Sequence, residues 1–303
     1  MEGSVKRVKY VIKLLLLLLP AVLVILPVAV LLSGAITDSY EMMEDLGPLI
    51  RKTQEFISWR FIPEYPSFSN YVKLLFRSPE FYVLFWNSVF MVGMILLGQG
   101  LVGVPAAWGF AVYETRGSRL LFSLYVVLML IPFQVTMLSS YLALNRLKLL
   151  NTYYAVIMPS LFSTLPVFLC YGGFREIPAE LLEAARIDGA GEWALFWKLG
   201  LPIGKGGLLS AMVLGFLEYW NLMEQPMAFL KDASLWPLSL YLPQITLSQA
   251  GFAFCASVLM LIPAVFVFAL GQDHLEQGII YRDLEDKEEI CLRFTSFFYE
   301  AKS

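Results

Sequence analysis

The chain has 303 residues, of which 58% are hydrophobic and only 16% charged, and its formal net charge is −3 at pH 7. This apolar content exceeds what one water-soluble core of this length can bury, so the sequence predicts a protein embedded in lipid. The small net charge, without a basic cluster interleaved with aromatic residues, argues against a nucleic-acid partner.

Six stretches of roughly 20 apolar residues, the length of a helix that crosses a bilayer, recur along the chain. Their apolar runs are unbroken, which excludes the alternating pattern of a membrane β-barrel. The sequence therefore predicts an all-α integral membrane protein. Its N-terminal segment is 1–13, its six-span domain 14–272 and its C-terminal tail 273–303. The predicted spans are 14–36, 81–112, 120–144, 153–174, 206–229 and 251–272.

Basic residues predict how these spans are oriented. Four precede the first span and two follow the second, which by the positive-inside rule places both segments in the cytoplasm. Both termini and residues 175–205 are then cytoplasmic, whereas 37–80, 145–152 and 230–250 face outward. A secretory signal peptide is the alternative interpretation of the first run, because small residues at Ser33–Ala35 could be a cleavage site. The basic residues are Lys6, Arg7, Lys9, Lys13, Arg116 and Arg119.

Cysteine and histidine are too few to predict a metal site or a disulfide framework. Cys170, Cys255 and Cys291 form no CxxC pair and are expected to be packing residues. His274 is the only histidine, which leaves it no partner for a multi-histidine metal site or a catalytic triad. We expect it to lie at the membrane edge.

A polar, helix-forming insert at 175–205 separates the fourth and fifth predicted spans. Pro178 fits the first turn of a helix, and Gly189 can end that helix and begin a tight reversal. A second short helix, bearing Trp193 and Trp197, is predicted to end before Pro202. Such a helix-turn-helix could dock into another protein. The alternative is an amphipathic segment that lies on the bilayer surface.

The insert resembles the EAA loop of permease subunits of ATP-binding-cassette importers. The pattern reads Glu-Ala-Ala, three residues, Gly, nine residues, an aliphatic residue, one residue and Leu-Pro. The resemblance implies that the loop docks into a separate ATPase subunit, with Glu183 pairing with an arginine there. The residues that fit the pattern are Glu183, Ala184, Ala185, Gly189, Leu199, Leu201 and Pro202, and Asp188 is expected to join the docking set.

The resemblance extends over roughly residues 10–280, to the maltose-transporter type of sugar permease. Two features depart from that pattern: Leu222–Glu224 follows the Trp-Asn pair of span 5, and Gln272–Gly278 replaces a Gly-rich ending. The similar segments are Pro105–Phe110, Leu149–Tyr153, Phe174–Pro178, the pairs Asn87-Ser88 and Trp220-Asn221, and Arg186–Trp193, which is typical of the carbohydrate-uptake branch.

The chain carries no phosphate-binding sequence of its own. The segment most similar to the phosphate-binding pattern GxxxxGK[ST] is Gly200–Gly206. It has the wrong spacing and no Ser or Thr after Lys205. We therefore expect no cofactor in this chain, with ATP and Mg bound by the partner ATPase.

A carbohydrate path needs polar side chains for hydroxyl groups and aromatic rings that stack on the sugar. Glu218, Asn221 and Gln225, at i, i+3 and i+7, are predicted to share one helical face, with Tyr219 and Trp220 beside it. Glu218 is the leading candidate, because an ionisable group within a span usually faces a bundle interior or a water-filled cavity. The alternative for Glu218 and Glu224 is a position near the headgroups. Asn87, Ser88, Gln99 and Gln134 are weaker candidates, since amides and hydroxyls also hold helices together.

The predicted function is that of a permease subunit of an ATP-driven carbohydrate importer in the bacterial plasma membrane. It would form half of the translocation pathway beside a second homologous permease, with ATPase subunits and an extracytoplasmic solute-binding protein. One alternative is uptake of another solute, such as a polyol or glycerol phosphate. Others are an intramembrane enzyme that uses Glu218 and Glu224 as acid and base, or a non-transporting scaffold.

Overall fold

The computed structural model describes residues 2–51, 60–113, 115–242, 249–273 and 275, with the backbone alone for 2–12, 50 and 51. His274, Cys291 and the tail from residue 276 lie outside the described residues. Within them the chain is helical and has no strand, which confirms the all-α prediction. The helices are α1 Glu2–Ile36, α2 Ser39–Asp45, α3 Gly47–Arg51, α4 Ser69–Arg77, α5 Pro79–Val112, α6 Arg116–Met129, α7 Phe133–Arg146, α8 Tyr154–Leu161, α9 Thr164–Arg175, α10 Ala179–Ile187, α11 Glu192–Leu195, α12 Leu201–Ile203, α13 Lys205–Trp220, α14 Glu224–Phe229 and α15 Ala250–Asp273.

Four helical segments in the described residues are long and apolar enough to cross a membrane: Lys13–Ile36, Pro79–Val112, Tyr154–Arg175 and Ala250–Asp273. Two bent pairs of helices also qualify when each pair is taken together. One joins α6 to α7 at 102°, and the other joins Glu192–Ile203 to α13 at 71°. If each pair is one span, the total is six, the number that the sequence predicts.

The predicted third span, 120–144, is not one continuous helix. It breaks between α6 and α7, where Pro132 is the N-cap of α7 in an extended conformation. Proline has no amide hydrogen and disfavours a helical conformation in the residue before it, here Ile131. The apolar run that the sequence predicted as one span is therefore bent by 102° at this proline.

The predicted fifth span, 206–229, also breaks, because α13 ends at Trp220 and α14 begins at Glu224. Two local features explain the break. The Asn221 side-chain amide donates to the carbonyl of Leu217 and so competes with the helical hydrogen bonds. Pro226 cannot donate to the carbonyl of Leu222, which instead accepts from the hydroxyl of Ser239.

The described chain divides into two compact units, of which the first is Met1–Val83 with Leu240–Pro263. In it, the buried Glu41 carboxylate accepts from the backbone amides of Glu64 and Tyr65, at 2.9 Å each. These bonds tie α2 to the segment that precedes α4. The thiol of Cys255 is buried and donates to the carbonyl of Ala35 at 3.1 Å, as expected of a packing cysteine.

The second unit is Leu84–Ser239 with Ala264–Ser303. Its α9 and α13 pack with their backbones almost in contact, since a Cβ added at Gly207 would lie 2.6 Å from the carbonyl oxygen of Leu169. Gly173 meets α13 in the same way, with a Cβ position 3.1 Å from the carbonyl oxygen of Gly204. Small residues allow such close packing of membrane helices. These two helices flank the loop at 175–205.

The EAA loop and a groove beside α14

The first helix of the EAA loop, α10, ends as the sequence predicts. Gly189 has a φ of +85°, a left-handed conformation that favours glycine. Its amide donates to the carbonyl of Arg186, and the amide of Ala190 donates to the carbonyl of Ala185, both at 3.0 Å. Together these bonds form a Schellman motif, which satisfies the last carbonyls of the helix and turns the chain.

The second helical segment of the loop does not end before Pro202, contrary to the prediction. It runs from α11 through a π-helical turn, Phe196–Gly200, into α12, which contains Pro202. In the π turn the amide of Leu201 donates five residues back, to Phe196. Pro202 has no amide hydrogen and cannot donate to a carbonyl of the preceding turn. Because the preceding π turn already departs from the α-helical pattern of hydrogen bonds, the helix can continue through Pro202.

The inner face of the loop packs on the C-terminal part of α5. Leu182, Leu195 and Phe196 are buried in one cluster with Trp108 of α5 and Phe174 of α9. The ring centroids of Trp108 and Phe196 are 5.8 Å apart, and those of Trp108 and Phe174 are 5.3 Å apart, both in edge-on arrangements. Edge-on aromatic pairs in a buried cluster stabilise a defined packing. The loop therefore sits on a rigid aromatic base.

The outer face of the loop exposes large apolar side chains. Ile187 is 86% exposed, Trp193 73% and Trp197 61%. Two of the predicted docking residues, Ala185 and Leu201, are partly buried and pack inward against the aromatic cluster. The other predicted docking residues lie exposed on the surface: Glu183, Ala184, Asp188, Gly189 and Pro202.

A polar contact that the sequence did not predict joins the loop to the end of α5. The hydroxyl of Tyr113 donates to Oε2 of Glu192 at 2.8 Å, and Nε of Arg186 donates to Oε1 of the same carboxylate at 3.1 Å. The hydrogen bonds from Arg186 and Tyr113 lower the pKa of Glu192, and the bond to Glu192 raises the pKa of Tyr113. Tyr113 and Glu192 are 79 residues apart, so no local pattern pointed to this contact.

The predicted solute-path residues of span 5 are not together on one helical face. Glu218 is exposed on α13, whereas Tyr219 and Trp220 are buried. Asn221 lies beyond the end of α13, and Gln225 belongs to α14. The prediction of a shared face assumed a continuous helix and was therefore wrong.

The predicted polar residues of span 2 hold the chain together in this structure. The amide of Asn87 donates to the carbonyls of Ser234 and Trp236, at 2.7 and 3.0 Å, and its oxygen accepts from the hydroxyl of Tyr153. The hydroxyl of Ser88 accepts from the amide of Leu238 at 2.7 Å. Both side chains are buried, so their polar groups serve packing here.

Gln99 has the same kind of surroundings. Its side-chain amide donates to the carbonyl of Ser160 and to the hydroxyl of Tyr219, at 2.8 Å each. It thus connects α5 with α8 and α13. The sequence-based alternative, that such amides hold helices together, describes this geometry.

A surface groove of about 460 Å³ lies between α7 and α14. Its polar groups are Gln134, Tyr141 and Glu224, and the side-chain amide of Gln134 donates to Oε1 of Glu224 at 2.7 Å. Gln134 and Glu224 were minor candidates in the sequence analysis and are 90 residues apart. The helices that carry them begin after the bend at Pro132 and after the end of α13, and the two side chains meet in the groove. The groove is lined by Phe133, Gln134, Met137, Leu138, Tyr141, Glu224, Met227 and Ala228.

No group of three or more His, Cys, Asp or Glu side chains that could hold a metal ion occurs within the described ranges. The long apolar helices of the described residues are those of a multi-pass membrane protein.

Residues 99–281 match the family described as the inner membrane component of binding-protein-dependent transport systems, and the chain belongs to this family. It is a transport subunit rather than an enzyme, and the resemblance noted from the sequence is confirmed. Because that family lies in the membrane, the multi-pass arrangement is confirmed as well.

Three curated relatives are similar over most of their length. The arabinooligosaccharides transport system permease protein AraQ of Halalkalibacterium halodurans is 26% identical, over 86% of this chain and 90% of its own. The diacetylchitobiose uptake system permease protein NgcG of Streptomyces coelicolor is 28% identical, over 83% and 85%. The sn-glycerol-3-phosphate transport system permease protein UgpE of Yersinia pestis is 30% identical, over 67% and 74%.

A solved structure has the same fold. It is a bacterial ABC transporter involved in the import of the acidic polysaccharide alginate, and one of its chains superimposes with a TM-score of 0.76 at 21% identity. The superposition covers 88% of this chain and 96% of the other.

Proposed function

We propose that the chain is a permease subunit of an ATP-driven carbohydrate importer and forms half of its translocation pathway. A second homologous permease, ATPase subunits and an extracytoplasmic solute-binding protein complete the complex. Relatives named for arabinooligosaccharides and diacetylchitobiose support a saccharide as the solute. The termini and the EAA loop face the cytoplasm, as the distribution of basic residues around the first two spans indicates.

The observation that carries this proposal is the two-sided construction of the EAA loop. Its inner face is buried on Trp108 and Phe174, while Ile187, Trp193 and Trp197 project outward. Large apolar side chains that are exposed on a segment whose other face is buried offer a surface for an interaction. Glu183 is exposed on α10, the helix that also carries Ile187, and it offers a carboxylate to a basic group in the partner.

Docking to an ATPase subunit is tested by two substitutions in the loop. Glu183→Lys reverses the proposed pairing charge, and Gly189→Pro forbids the φ of +85° that turns the chain. Both are expected to leave membrane insertion intact and to abolish co-purification with the ATPase or its coupling. Glu180→Lys, an exposed position in the first turn of α10, is the matched control for the charge change.

The competing interpretation is a loop that lies on the bilayer surface. It predicts that both variants co-purify with the ATPase and transport solute as the wild type does. Normal assembly and transport in both would therefore remove the docking proposal.

We further propose that the groove between α7 and α14 contacts the solute. A carboxylate, an amide and a hydroxyl at Glu224, Gln134 and Tyr141 can bind sugar hydroxyl groups, and Phe133 and Tyr141 offer rings for stacking. Glu218 remains a competing position on the exposed face of α13. The groove differs from it in joining polar and aromatic groups in one concave surface.

The relative named for sn-glycerol-3-phosphate supports a second candidate solute, a phosphorylated or reduced small sugar. The Glu224 carboxylate in the groove would repel a phosphate group, which favours a neutral saccharide. Uptake by the reconstituted complex, with its binding protein and a panel of labelled saccharides, polyols and glycerol phosphate, separates the two. Solute-stimulated ATP hydrolysis in the same preparation would exclude a non-transporting scaffold.

A further inference from the structure

The Glu192 carboxylate connects three helical elements of the second compact unit. Glu192 is the first residue of α11, its Oε1 accepts from Arg186 in the last turn of α10, and its Oε2 accepts from Tyr113, just after α5. The carboxylate lies at a helix N-terminus and the guanidinium at a helix C-terminus, and each position is favourable for the helix dipole. One side chain thus links both halves of the EAA loop to α5.

The aromatic contact between the loop and α5 is tight. A Cβ added at Gly200, in the π turn of the loop, would lie 2.6 Å from the ring of Trp108 in α5. The loop backbone therefore rests directly on α5. Dispersion contacts of this kind resist separation but have little directional preference. Hydrogen bonds to a charged group are directional, so they define the angle between surfaces that are already packed together.

We infer that Glu192 is a positioning residue that couples displacement of the EAA loop to α5 through Tyr113, in addition to the flanking helices α9 and α13. This inference rests on the proposed function, in which an ATPase subunit moves the loop. Without the carboxylate contact the loop would still pack on Trp108, but its rotation would be transmitted less completely to α5. The expected defect is in coupling rather than in assembly or solute affinity.

The test uses the complete importer in proteoliposomes, with its ATPase subunits, second permease and solute-binding protein. Tyr113→Phe removes only the hydroxyl, and Glu192→Gln removes the charge while keeping the side-chain shape. The ATP hydrolysed per solute transported is expected to rise roughly twofold in each, the factor that corresponds to a half-exposed charged contact. Co-purification of the ATPase and the solute concentration for half-maximal transport should not change.

Two controls and a double variant make the result specific. Glu180→Gln changes another exposed glutamate of the loop, and Tyr82→Phe removes a hydroxyl that donates to the carbonyl of Leu75; both should couple as the wild type does. Tyr113→Phe combined with Glu192→Gln should couple no worse than the more impaired single variant, because the Tyr113 hydroxyl is the contact through which Glu192 reaches the end of α5.

The outcomes separate this inference from the proposed function. If the wild-type complex transports solute and both variants keep its ratio of ATP to solute, the positioning role is overturned while the function stands. Loss of assembly or altered half-saturation in Tyr113→Phe would likewise overturn it, in favour of a purely structural contact. A wild-type complex with no solute-dependent ATP hydrolysis would overturn the proposed function and the inference with it.

Discussion

The two ends of α13 are built differently. At its N-terminal end, Gly204 and Gly207 bring the backbone of α13 against α9, and the adjoining EAA loop rests on Trp108. At its C-terminal end the helix stops at Trp220, and the chain continues into the short α14 beside an open groove. At the first end the backbones are in direct contact and leave almost no space for rearrangement, whereas at the second end buried aromatic residues adjoin a groove with polar groups. The rigid first end suits force transmission, and the groove at the second end suits contact with a solute.

Trp108→Ala is expected to have the largest effect on this comparison. Trp108 is buried among Phe174, Phe196 and the π turn of the loop, so its removal leaves a cavity that costs about 3–5 kcal/mol. Thermal unfolding in detergent would measure the loss. Trp86→Ala, at a 63% exposed position in the same helix, is the control and should change stability far less. Equal effects would show that the loop end of the molecule is not the rigid one.

Gly207→Ala tests the close approach of α9 and α13 with a single methyl group. The added carbon would lie 2.6 Å from the carbonyl oxygen of Leu169, a backbone atom that cannot move alone, so we expect a loss of about 2 kcal/mol. Gly206→Ala is the matched control, because nothing lies within 4 Å of the Cβ position there. It should be neutral or stabilise the helix by up to about 1 kcal/mol. A similar unfolding temperature for both variants would contradict the tight packing.

Glu224→Gln tests the opposite end, where function rather than stability should respond. The substitution removes the charge that Gln134 contacts in the groove, and it is expected to change the solute concentration for half-maximal transport by about tenfold, or about 1.4 kcal/mol. Assembly and the unfolding temperature should stay close to those of the wild type. Glu218→Gln is the comparison: a larger effect there would move the solute path to the exposed face of α13 and away from the groove.

The smallest expected effect concerns pH and the surface contact of the EAA loop. Hydrogen bonds from Arg186 and Tyr113 lower the pKa of Glu192 below its ordinary value of 4.5. A carboxyl group with a lower pKa in the folded state stabilises that state above the unfolded pKa, and the stabilisation is lost as the pH falls through the folded pKa. The difference in unfolding temperature between the wild type and Glu192→Gln should therefore shrink below about pH 4.5. Because Glu192 is half exposed, the difference will be small, and its independence of pH would contradict the contact.

Local chemistry predicted some elements well. Gly189 was expected to end a helix, and it does so with a positive φ and two capping hydrogen bonds. Pro178 was expected in the first turn of α10, and it lies directly before that turn, as the N-cap. These predictions depend on the conformational preference of one residue and its immediate neighbours, which the sequence displays directly.

The prediction of a shared helical face failed because it assumed that the apolar run 206–229 is one helix. Hydropathy does not register the missing amide of Pro132 or the competing side chain of Asn221 once the flanking residues are apolar. Glu218, Asn221 and Gln225 therefore do not lie on one continuous helix and cannot share a helical face. At Pro202 the error was the reverse: the sequence predicted that a helix ends before this proline, but the π turn allows the helix to continue through it.

The amino-acid sequence alone determined that the protein lies in lipid, that it is helical, which family it resembles and where its EAA loop turns. Apolar run length and residue-specific backbone preferences are local properties, so the sequence displays them directly. Only the tertiary structure decided that Tyr113 donates to Glu192, that Gln134 donates to Glu224 and that the amide of Asn87 donates to backbone carbonyls. These partners are 79 to 149 residues apart, and their contacts depend on how bent helices pack. Many pairings of polar groups are compatible with the same hydropathy pattern, and packing selects one of them.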